Sequence, residues 1–326
     1  MPEVLVVSTP GARIYTRQGV VYVKPLEGDP VPVTQDTDLV VIAAGASSVS
    51  GRALRRLAEL GVRVLVLGHR GHVVAEMRPL DRHNRSVEAR LAQYEAKLRG
   101  RGAELAAEMV RAKIVNQARL LRYLAKSRRE PWLRDASYEV ESFADRLRGA
   151  DPEPDTVRAI EARAAHAYWQ SLAALLPARL GFTGRSPRGG DPVNMALSYG
   201  YAILYGVAHD ALVLAGLDPY AGFLHTDRSG KPSLVYDYSD TYKPAAVDRA
   251  LFLNTGPGLF ETTHGSLTYQ ARRAIATRVL KTLTTPLRDR KSYQRRQLRE
   301  HIHSYAWSLA AALREKKPYQ AFEAVL

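Results

Sequence analysis

Residues 191–205 read Asp-Pro-Val-Asn-Met-Ala-Leu-Ser-Tyr-Gly-Tyr-Ala-Ile-Leu-Tyr, an apolar and aromatic run that predicts a helix. His225 follows this run, and Asp237 and Asp240 come next. An imidazole and two carboxylates are ligand types that bind metal ions, and here they occur in a chain with a formal net charge of +14. Together they point to a site where a divalent cation meets a phosphate backbone, so the expected partner is DNA or RNA.

The overall composition is that of a folded protein with a substantial core. Of 326 residues, 46% are hydrophobic and 25% are charged, and this length accommodates two domains. The first apolar run, Val4 to Val7, is too short for a signal peptide, and no apolar stretch approaches the roughly 20 residues of a membrane helix. We therefore expect a cytoplasmic protein with no membrane partner.

The chain contains no cysteine. Disulfides, thiolate nucleophiles and thiolate metal sites are therefore excluded. Any metal would be bound by oxygen and imidazole donors, which favours Mg²⁺ or Mn²⁺.

Basic residues are numerous and clustered. The chain has 47 Lys and Arg against 33 Asp and Glu, and residues 288–299 alone contain six basic residues, one acidic residue and Tyr293. The arginine-rich surface of a thermophile protein would carry a similar net charge. The clustering instead favours a long polyanion over a small acidic metabolite as the partner.

Two regions of different secondary structure are predicted, which gives the fold class α+β. A small β-rich domain, a sheet or sandwich with one helix, is expected at residues 1–80, a linker at 81–90 and a larger all-α catalytic domain at 91–326. The N-terminal segments are short, rich in Val and Ile, and separated by turn residues. They predict strands at Val4–Val7, Arg13–Thr16, Val20–Lys24, Pro30–Val33, Leu39–Ile42, Val62–Leu67 and Val73–Met77, with a helix capped by Ser50 and ended by Gly61.

One interruption of the helical region is predicted around His225. Gly222–His225 and Ser233–Asp237 read as the two strands of a hairpin, which would place His225 and Asp237 near its ends. Asp237 and Asp240 are three residues apart, so a helix after the hairpin would project both carboxylates on one side. A single histidine is more often a core residue than a ligand, and one of the aspartates can be a helix cap.

Glu161 lies on a helix predicted from Thr156 to Leu176, with Asp155 as its cap. Its position at the margin of the apolar stripe predicts a partly buried carboxylate that pairs with a cation. A surface glutamate paired with Arg158 or Arg163 of its own helix explains the same sequence, and the residues alone favour this second interpretation.

Three blocks of sequence resemble those of a known protein family. The blocks are Glu161–Trp169, Arg185–Tyr201 and His225–Pro244, in this order. With them, the chain resembles the CRISPR-associated spacer integrase, the first of the numbered Cas proteins and the nuclease shared by CRISPR adaptation machineries. The resemblance spans nearly the whole chain, although the N-terminal third matches only by pattern.

The resemblance implies a metal-dependent active site. Family members place a glutamate, a histidine and an acidic residue around one Mn²⁺ or Mg²⁺ ion, and the matching positions here are Glu161, His225 and Asp240. Six further residues are expected to support the site: Asp237 as a neighbouring carboxylate, Asn194, Tyr199 and Tyr201 as residues that orient ligands or DNA, and Arg228 and Lys243 as phosphate-binding cations. The aromatic residues are equally explained as core, and the two cations as solvated loop residues.

The resemblance also implies the reaction and the partners. The N-terminal domain would build a homodimer, and a small ferredoxin-like second Cas protein would bind it. The enzyme would be an endonuclease and integrase that inserts spacer-precursor DNA at the borders of a CRISPR repeat, by attack of a 3′-hydroxyl on a phosphodiester. Two alternatives stay open: a metal-dependent nuclease acting on branched DNA or RNA, and a non-catalytic basic nucleic-acid binder.

Overall fold

The computed structural model describes residues 3–34, 37–43, 45–68, 73–77, 79, 87–148, 153–225, 229–256 and 258–326. The chain divides into two compact units, Met1–Arg82 and His83–Leu326. The first unit is rich in strands and the second is mainly helical, which confirms the predicted α+β fold class. Of the predicted linker, residues 81–86 lie outside the described residues, and residues 87–90 form the start of a helix.

The described part of the first unit contains two four-stranded sheets and one helix. Their bounds are β1 Glu3–Val7, β2 Arg13–Arg17, β3 Val20–Lys24, β4 Val31–Pro32, β5 Thr37–Ile42, β6 Ser48–Val49, β7 Arg63–Leu67, β8 Val73–Met77 and α1 Gly51–Glu59. One sheet has the order β1-β5-β7-β8, with β8 antiparallel to the other three. The other has the order β4-β3-β2-β6, with β6 parallel to β2.

The α1 helix begins and ends as its sequence predicts. The Ser50 side chain accepts a hydrogen bond from the Ala53 amide at 3.2 Å, which satisfies one of the orphan donors of the first turn. Gly61 follows the helix with a φ of +75°, a conformation that suits glycine. The helix buries Ala53 and Leu57, which belong to one apolar cluster with Ile14, Val21, Val40 and Val64.

The second unit is built mainly from helices. Their bounds are α2 Val87–Leu98, α3 Gly102–Ser127, α4 Trp132–Asp145, α5 Pro154–Ala173, α6 Pro192–Leu214, α7 Ser233–Asp240, α8 Arg249–Phe252, α9 Tyr269–Thr284 and α10 Leu298–Arg314, with a π-helical turn at Pro244–Asp248. The central α3 and α6 are largely buried along their length. No helix of the described residues has the length and apolar content needed to cross a bilayer.

Short strands that the sequence did not predict also occur in the second unit. They are β9 Thr262–Thr263, β10 Ser266–Leu267, β11 Pro286–Asp289, β12 Arg295–Gln297 and β13 Ala324–Val325. The last three form an antiparallel sheet with the order β12-β11-β13. The basic cluster at 288–299 therefore lies on the β11–β12 hairpin and the start of α10. Strands of two to four residues are too short for hydrophobic alternation to identify them.

Two local predictions in the second unit are wrong. Gly222–His225 is not a strand, and Ser233–Asp237 forms the first turns of α7 instead of the second strand of a hairpin. A short apolar run such as Leu-Val-Tyr fits a buried helix as well as a strand. Asp155 is not the cap of α5 either, because the helix starts at Pro154 and Asp155 lies in its first turn.

Candidate active site

The predicted site residues Glu161 and Asp240 meet at the side chain of Lys113. The Lys113 ammonium lies 2.6 Å from Glu161 Oε1 and 2.6 Å from Asp240 Oδ2. These residues come from α5, from the end of α7 and from the middle of α3, and their side chains are only 18%, 9% and 14% exposed. Glu161 therefore pairs with another helix, and its interpretation as a surface glutamate paired within α5 is wrong. Sequence reasoning missed Lys113.

His225 is oriented by Asp237, as its nearness in the sequence suggested, although no hairpin joins them. Asp237 Oδ1 lies 2.5 Å from His225 Nδ1. The same carboxylate accepts backbone hydrogen bonds from Phe223, Leu224 and His225 at 2.6 to 3.0 Å. With Nδ1 donating to a carboxylate, the lone pair of the neutral imidazole is on Nε2, the nitrogen that can bind a metal or accept a proton.

The loop before His225 is fixed by polar contacts with α2. The fully buried Gln93 donates to the carbonyl groups of Asp218 and Ala221 at 2.9 and 2.8 Å and accepts from the Asp218 amide at 2.8 Å. Lys97 donates to the Gly222 carbonyl at 2.7 Å. Sequence reasoning missed Gln93, whose signal is its place between Ala89 and Ala96 on the buried face of α2.

A second ammonium group, that of Lys243, also contacts Asp240. It forms an ion pair with Asp240 Oδ1 and lies 4.7 and 5.2 Å from the ring centroids of Tyr201 and Tyr205. Burial alone would raise the pKa of Asp240, but the charges of Lys113 and Lys243 lower it well below its usual range. Burial would likewise lower the pKa of Lys113, but the Asp240 and Glu161 carboxylates raise it above its ordinary value.

Arg185 is held beside these residues by Asn194 and Ser198 of α6. Its guanidinium donates to Asn194 Oδ1 at 2.9 Å and to Ser198 Oγ at 3.0 Å, and it lies 5.3 Å from the Tyr201 ring. Asn194 in turn is fixed by Asp191, which caps α6 and accepts from the Asn194 side chain at 2.7 Å. Asn194 thus positions a cation of the site.

Asp248 is a buried carboxylate that sequence reasoning did not single out. Its two oxygens accept hydrogen bonds from Tyr168 at 2.7 Å and from Tyr201 at 2.6 Å. Burial raises the pKa of Asp248 to about 6, although the two hydroxyl groups act in the opposite direction. Tyr201 therefore joins Asp248 to the cations of the site. Tyr199, by contrast, is a buried residue of α6, in agreement with the alternative interpretation that it belongs to the core.

A cleft of about 410 Å³ opens onto these residues. Four basic side chains line it, together with aromatic residues and Asp248; the basic ones are Lys113, Arg185, His225 and Lys243. A concave basic surface beside paired carboxylates suits a phosphodiester that is to be held and polarised. Arg228, the remaining predicted site residue, lies outside the described residues.

The described residues contain no group of three or more His, Cys, Asp or Glu side chains arranged to bind one metal ion. The donor set of Glu161, Asp240 and His225 nevertheless fits Mn²⁺ or Mg²⁺, which bind carboxylate oxygen and, for Mn²⁺, imidazole nitrogen. The two carboxylates already share a cation at Lys113. Burial would lower the pKa of His225, but Asp237, followed by Asp240 and Glu161, raises it above its ordinary value. Asp240 Oδ1 is in contact with the Lys243 ammonium and Asp240 Oδ2 with that of Lys113, so both oxygens of this carboxylate already bind a cation. A metal at this place would take over the role of the Lys113 ammonium.

Comparisons with known proteins show which family the chain is similar to. A family model described as CRISPR associated protein Cas1 matches residues 5–306. The CRISPR-associated endonuclease Cas1 of Hyperthermus butylicus is 61% identical over 331 residues, which cover 99% of this chain and 98% of that protein. The CRISPR-associated endonuclease Cas1 2 of Saccharolobus solfataricus is 31% identical over 323 residues, with 99% and 98% covered.

Solved structures share the fold at low sequence identity. A casposase bound to integration product has a TM-score of 0.83 and 21% identity, covering 98% of this chain and 92% of that one. A CAS1 protein from Thermotoga maritima has a TM-score of 0.74 and 20% identity, with 95% and 96% covered. A chain of a Cas6-RT-Cas1–Cas2 complex has a TM-score of 0.75 and 20% identity, covering 99% of this chain and 36% of that one.

Proposed function

We propose that this chain, which belongs to the CRISPR-associated Cas1 protein family, is a metal-dependent DNA integrase that inserts spacer DNA at the borders of a CRISPR repeat. The family resemblance seen in the sequence is confirmed, and the chain is an enzyme of a family whose members from Hyperthermus butylicus and Saccharolobus solfataricus are named endonucleases. Likeness to a casposase bound to integration product supports the finer proposal that strands are joined and not only cut.

One observation is the main support for the proposal. Glu161 and Asp240, which are 79 positions apart in the sequence, share the largely buried Lys113 ammonium beside a basic cleft that also contains His225. Glu161, Asp240 and Nε2 of His225 would hold Mn²⁺ or Mg²⁺. When bound, such an ion polarises the attacked phosphate and makes the attacking hydroxyl more acidic.

The residues of the chain itself would bind and orient the DNA strand. Arg185 and Lys243 both lie over the Tyr201 ring, 5.3 and 4.7 Å from its centroid, and line the cleft. There they can bind phosphate oxygens and stabilise charge that develops on them. In the reaction, a P–O bond forms to the incoming 3′-oxygen while the bond to another 3′-oxygen breaks. One phosphodiester replaces another, so no external energy source is needed.

The proposed partners are DNA, a second copy of the chain and the small second Cas protein. The net charge of +14 supports a polyanionic partner. Likeness to a chain of a Cas6-RT-Cas1–Cas2 complex supports the second Cas protein. Homodimerisation through residues 1–80 rests on the family resemblance.

Strand joining by the Glu161→Gln variant tests the proposal. A supercoiled plasmid with a CRISPR repeat is incubated with labelled DNA fragments and Mn²⁺ or Mg²⁺. Loss of one carboxylate of the site should reduce the joined product by at least about 100-fold, while affinity for duplex DNA stays at the wild-type value. Glu139→Gln, at an exposed position of α4, is the matched control and should join strands normally.

The products separate the proposal from its alternatives. Full joining by Glu161→Gln would remove the assignment of the site. Cleaved strands without joined product from the wild-type protein would favour a nuclease acting on branched DNA or RNA. DNA binding that survives both EDTA and the Glu161→Gln substitution, with neither joined nor cleaved strands from the wild-type protein, would favour a non-catalytic basic binder.

A further inference from the structure

We propose that Lys113 competes with the divalent cation for Glu161 and Asp240 and thereby sets the metal affinity of the site. The inference rests on the proposed function, because it concerns the metal of that same site. It assigns to Lys113 a positioning role, since it acts through the two carboxylates.

The geometry of Lys113 is that of a bridging counter-ion. Its ammonium donates one hydrogen bond to Glu161 Oε1 and one to Asp240 Oδ2, both at 2.6 Å. The side chain is 14% exposed, so this charge is largely withdrawn from water and its position is determined by the two carboxylates. The ammonium thus lies among the oxygens that a metal would use.

A buried pair of carboxylates needs such a cation when no metal is present. Two negative side chains in a poorly solvated site repel each other, and an ammonium between them removes this cost. Lys243 is not equivalent to Lys113: its ion pair is with Asp240, whereas Glu161 has Lys113 as its ion-pair partner among the described residues. Only Lys113 joins the two carboxylates to each other in that part of the chain.

A divalent cation and the Lys113 ammonium exclude each other from these oxygens. Both would lie within roughly 4 Å of each other in a site of low effective dielectric constant, where repulsion between positive charges is strong. Metal binding therefore requires Lys113 to leave at least one carboxylate. A lysine suits this role because its charge is carried on a flexible four-carbon stem, and Lys113 lines the cleft into which it can turn.

The test is a Mn²⁺ titration of the full-length Lys113→Met variant, with the signal of unbound Mn²⁺ followed by electron paramagnetic resonance. Methionine keeps the length of the side chain and removes its charge. We expect Mn²⁺ to bind at least about tenfold more tightly than to the wild-type protein, and the metal-free variant to unfold at a lower temperature that Mn²⁺ raises again. Lys126→Met, at an exposed position of the same helix, should change neither property.

Mn²⁺ binding that is unchanged or weaker in a folded Lys113→Met protein would overturn the inference and leave the proposed function standing. If this variant does not fold, Lys113→Gln should show the tighter binding and Lys113→Arg, which keeps the charge, should bind Mn²⁺ like the wild-type protein. Tighter binding by Lys113→Arg would also overturn the inference. Absence of Mn²⁺ binding in all of these proteins would overturn the metal-dependent function as well.

Discussion

At the residue scale, the stability of the fold depends on whether the Asp248 carboxyl group is protonated. Its carboxyl group is buried, it is hydrogen-bonded by two tyrosines, and burial raises its pKa from 3.8 to about 6. The folded protein therefore takes up a proton here at pH values where the unfolded chain does not. The stability that this proton contributes is fully present below pH 3.8 and is lost as the pH rises through about 6.

Asp248→Asn should remove this pH dependence. The substitution also replaces one accepting oxygen by an NH2 group, which cannot accept the tyrosine hydrogen bond. Because asparagine does not titrate, this change lowers the stability of the variant by the same amount at every pH. As the pH rises from 3.8 to about 6, the thermal unfolding midpoint of the variant should therefore increase relative to that of the wild-type protein. Thermal unfolding followed by circular dichroism across this interval measures it. Parallel profiles for the two proteins would contradict the raised pKa of Asp248.

At the element scale, the loop before His225, residues 218–224, determines where His225 lies. Gly222 packs against the start of α7 so closely that an added Cβ would lie 2.7 Å from Ser233 Cβ and 2.8 Å from Asp237 Oδ2. Real Cβ atoms do not approach other atoms so closely, so any larger residue must displace the loop from α7. The backbone hydrogen bonds that Asp237 accepts from this loop would be strained at the same time.

Gly222→Ala should therefore reduce strand joining by about tenfold or more, because a small displacement of a catalytic group has a large effect on rate. The thermal unfolding midpoint should fall by a few degrees. Gly190→Ala is the matched control, since an added Cβ there meets nothing within 4 Å. Normal joining by Gly222→Ala would mean that the position of His225 does not depend on this close contact.

The elements also show what could be predicted from the sequence. Seven of the eight strands described in the first unit and the Ser50 cap were predicted, because alternation and capping are local signals. The strand β6 was missed because two residues are too few for alternation to show. The expected hairpin around His225 was wrong, because tertiary packing decides whether a short apolar run is strand or helix. His225 and Asp237 nevertheless meet, since the Asp237 carboxylate also accepts hydrogen bonds from the backbone of residues 223–225.

The candidate site was predicted only in part, for a related reason. Glu161, His225 and Asp240 were identified by family resemblance, and residue types alone favoured a surface role for Glu161. Lys113 was missed because α3 contains several other cations, and nothing local distinguishes the one that reaches Glu161 and Asp240. The assignment of the three residues to one metal stays a prediction.

At the scale of the whole molecule, the excess positive charge is partly concentrated on the β11–β12 hairpin. Arg288, Arg295 and Arg296 are exposed there, and Arg288 lies over the ring of Tyr293, itself 70% exposed. The turn is fixed by Asp289, which accepts hydrogen bonds from the Ser292 amide and the Tyr305 hydroxyl. A fixed basic ribbon with an exposed aromatic ring suits a nucleic-acid backbone.

Replacing these three arginines by glutamine should weaken binding to duplex DNA and make it less dependent on salt. Each phosphate contact that is lost lowers the slope of log K against log salt by about 0.9, so the slope should fall by at most about 2.7. Fluorescence anisotropy at several salt concentrations measures this. The control is a variant of equal net charge in which glutamine replaces the exposed Arg52, Arg55 and Arg99. An equal loss of DNA affinity in both variants would contradict a local contact at the hairpin.

The central claim is that Glu161, His225 and Asp240 hold one divalent cation. The most direct measurement is an anomalous difference map from crystals grown with Mn²⁺, with data collected at the manganese absorption edge. The account predicts a peak within bonding distance of Glu161, Asp240 and Nε2 of His225, with the Lys113 ammonium moved away from at least one carboxylate. A manganese peak elsewhere, with Lys113 still joining the two carboxylates, would contradict it.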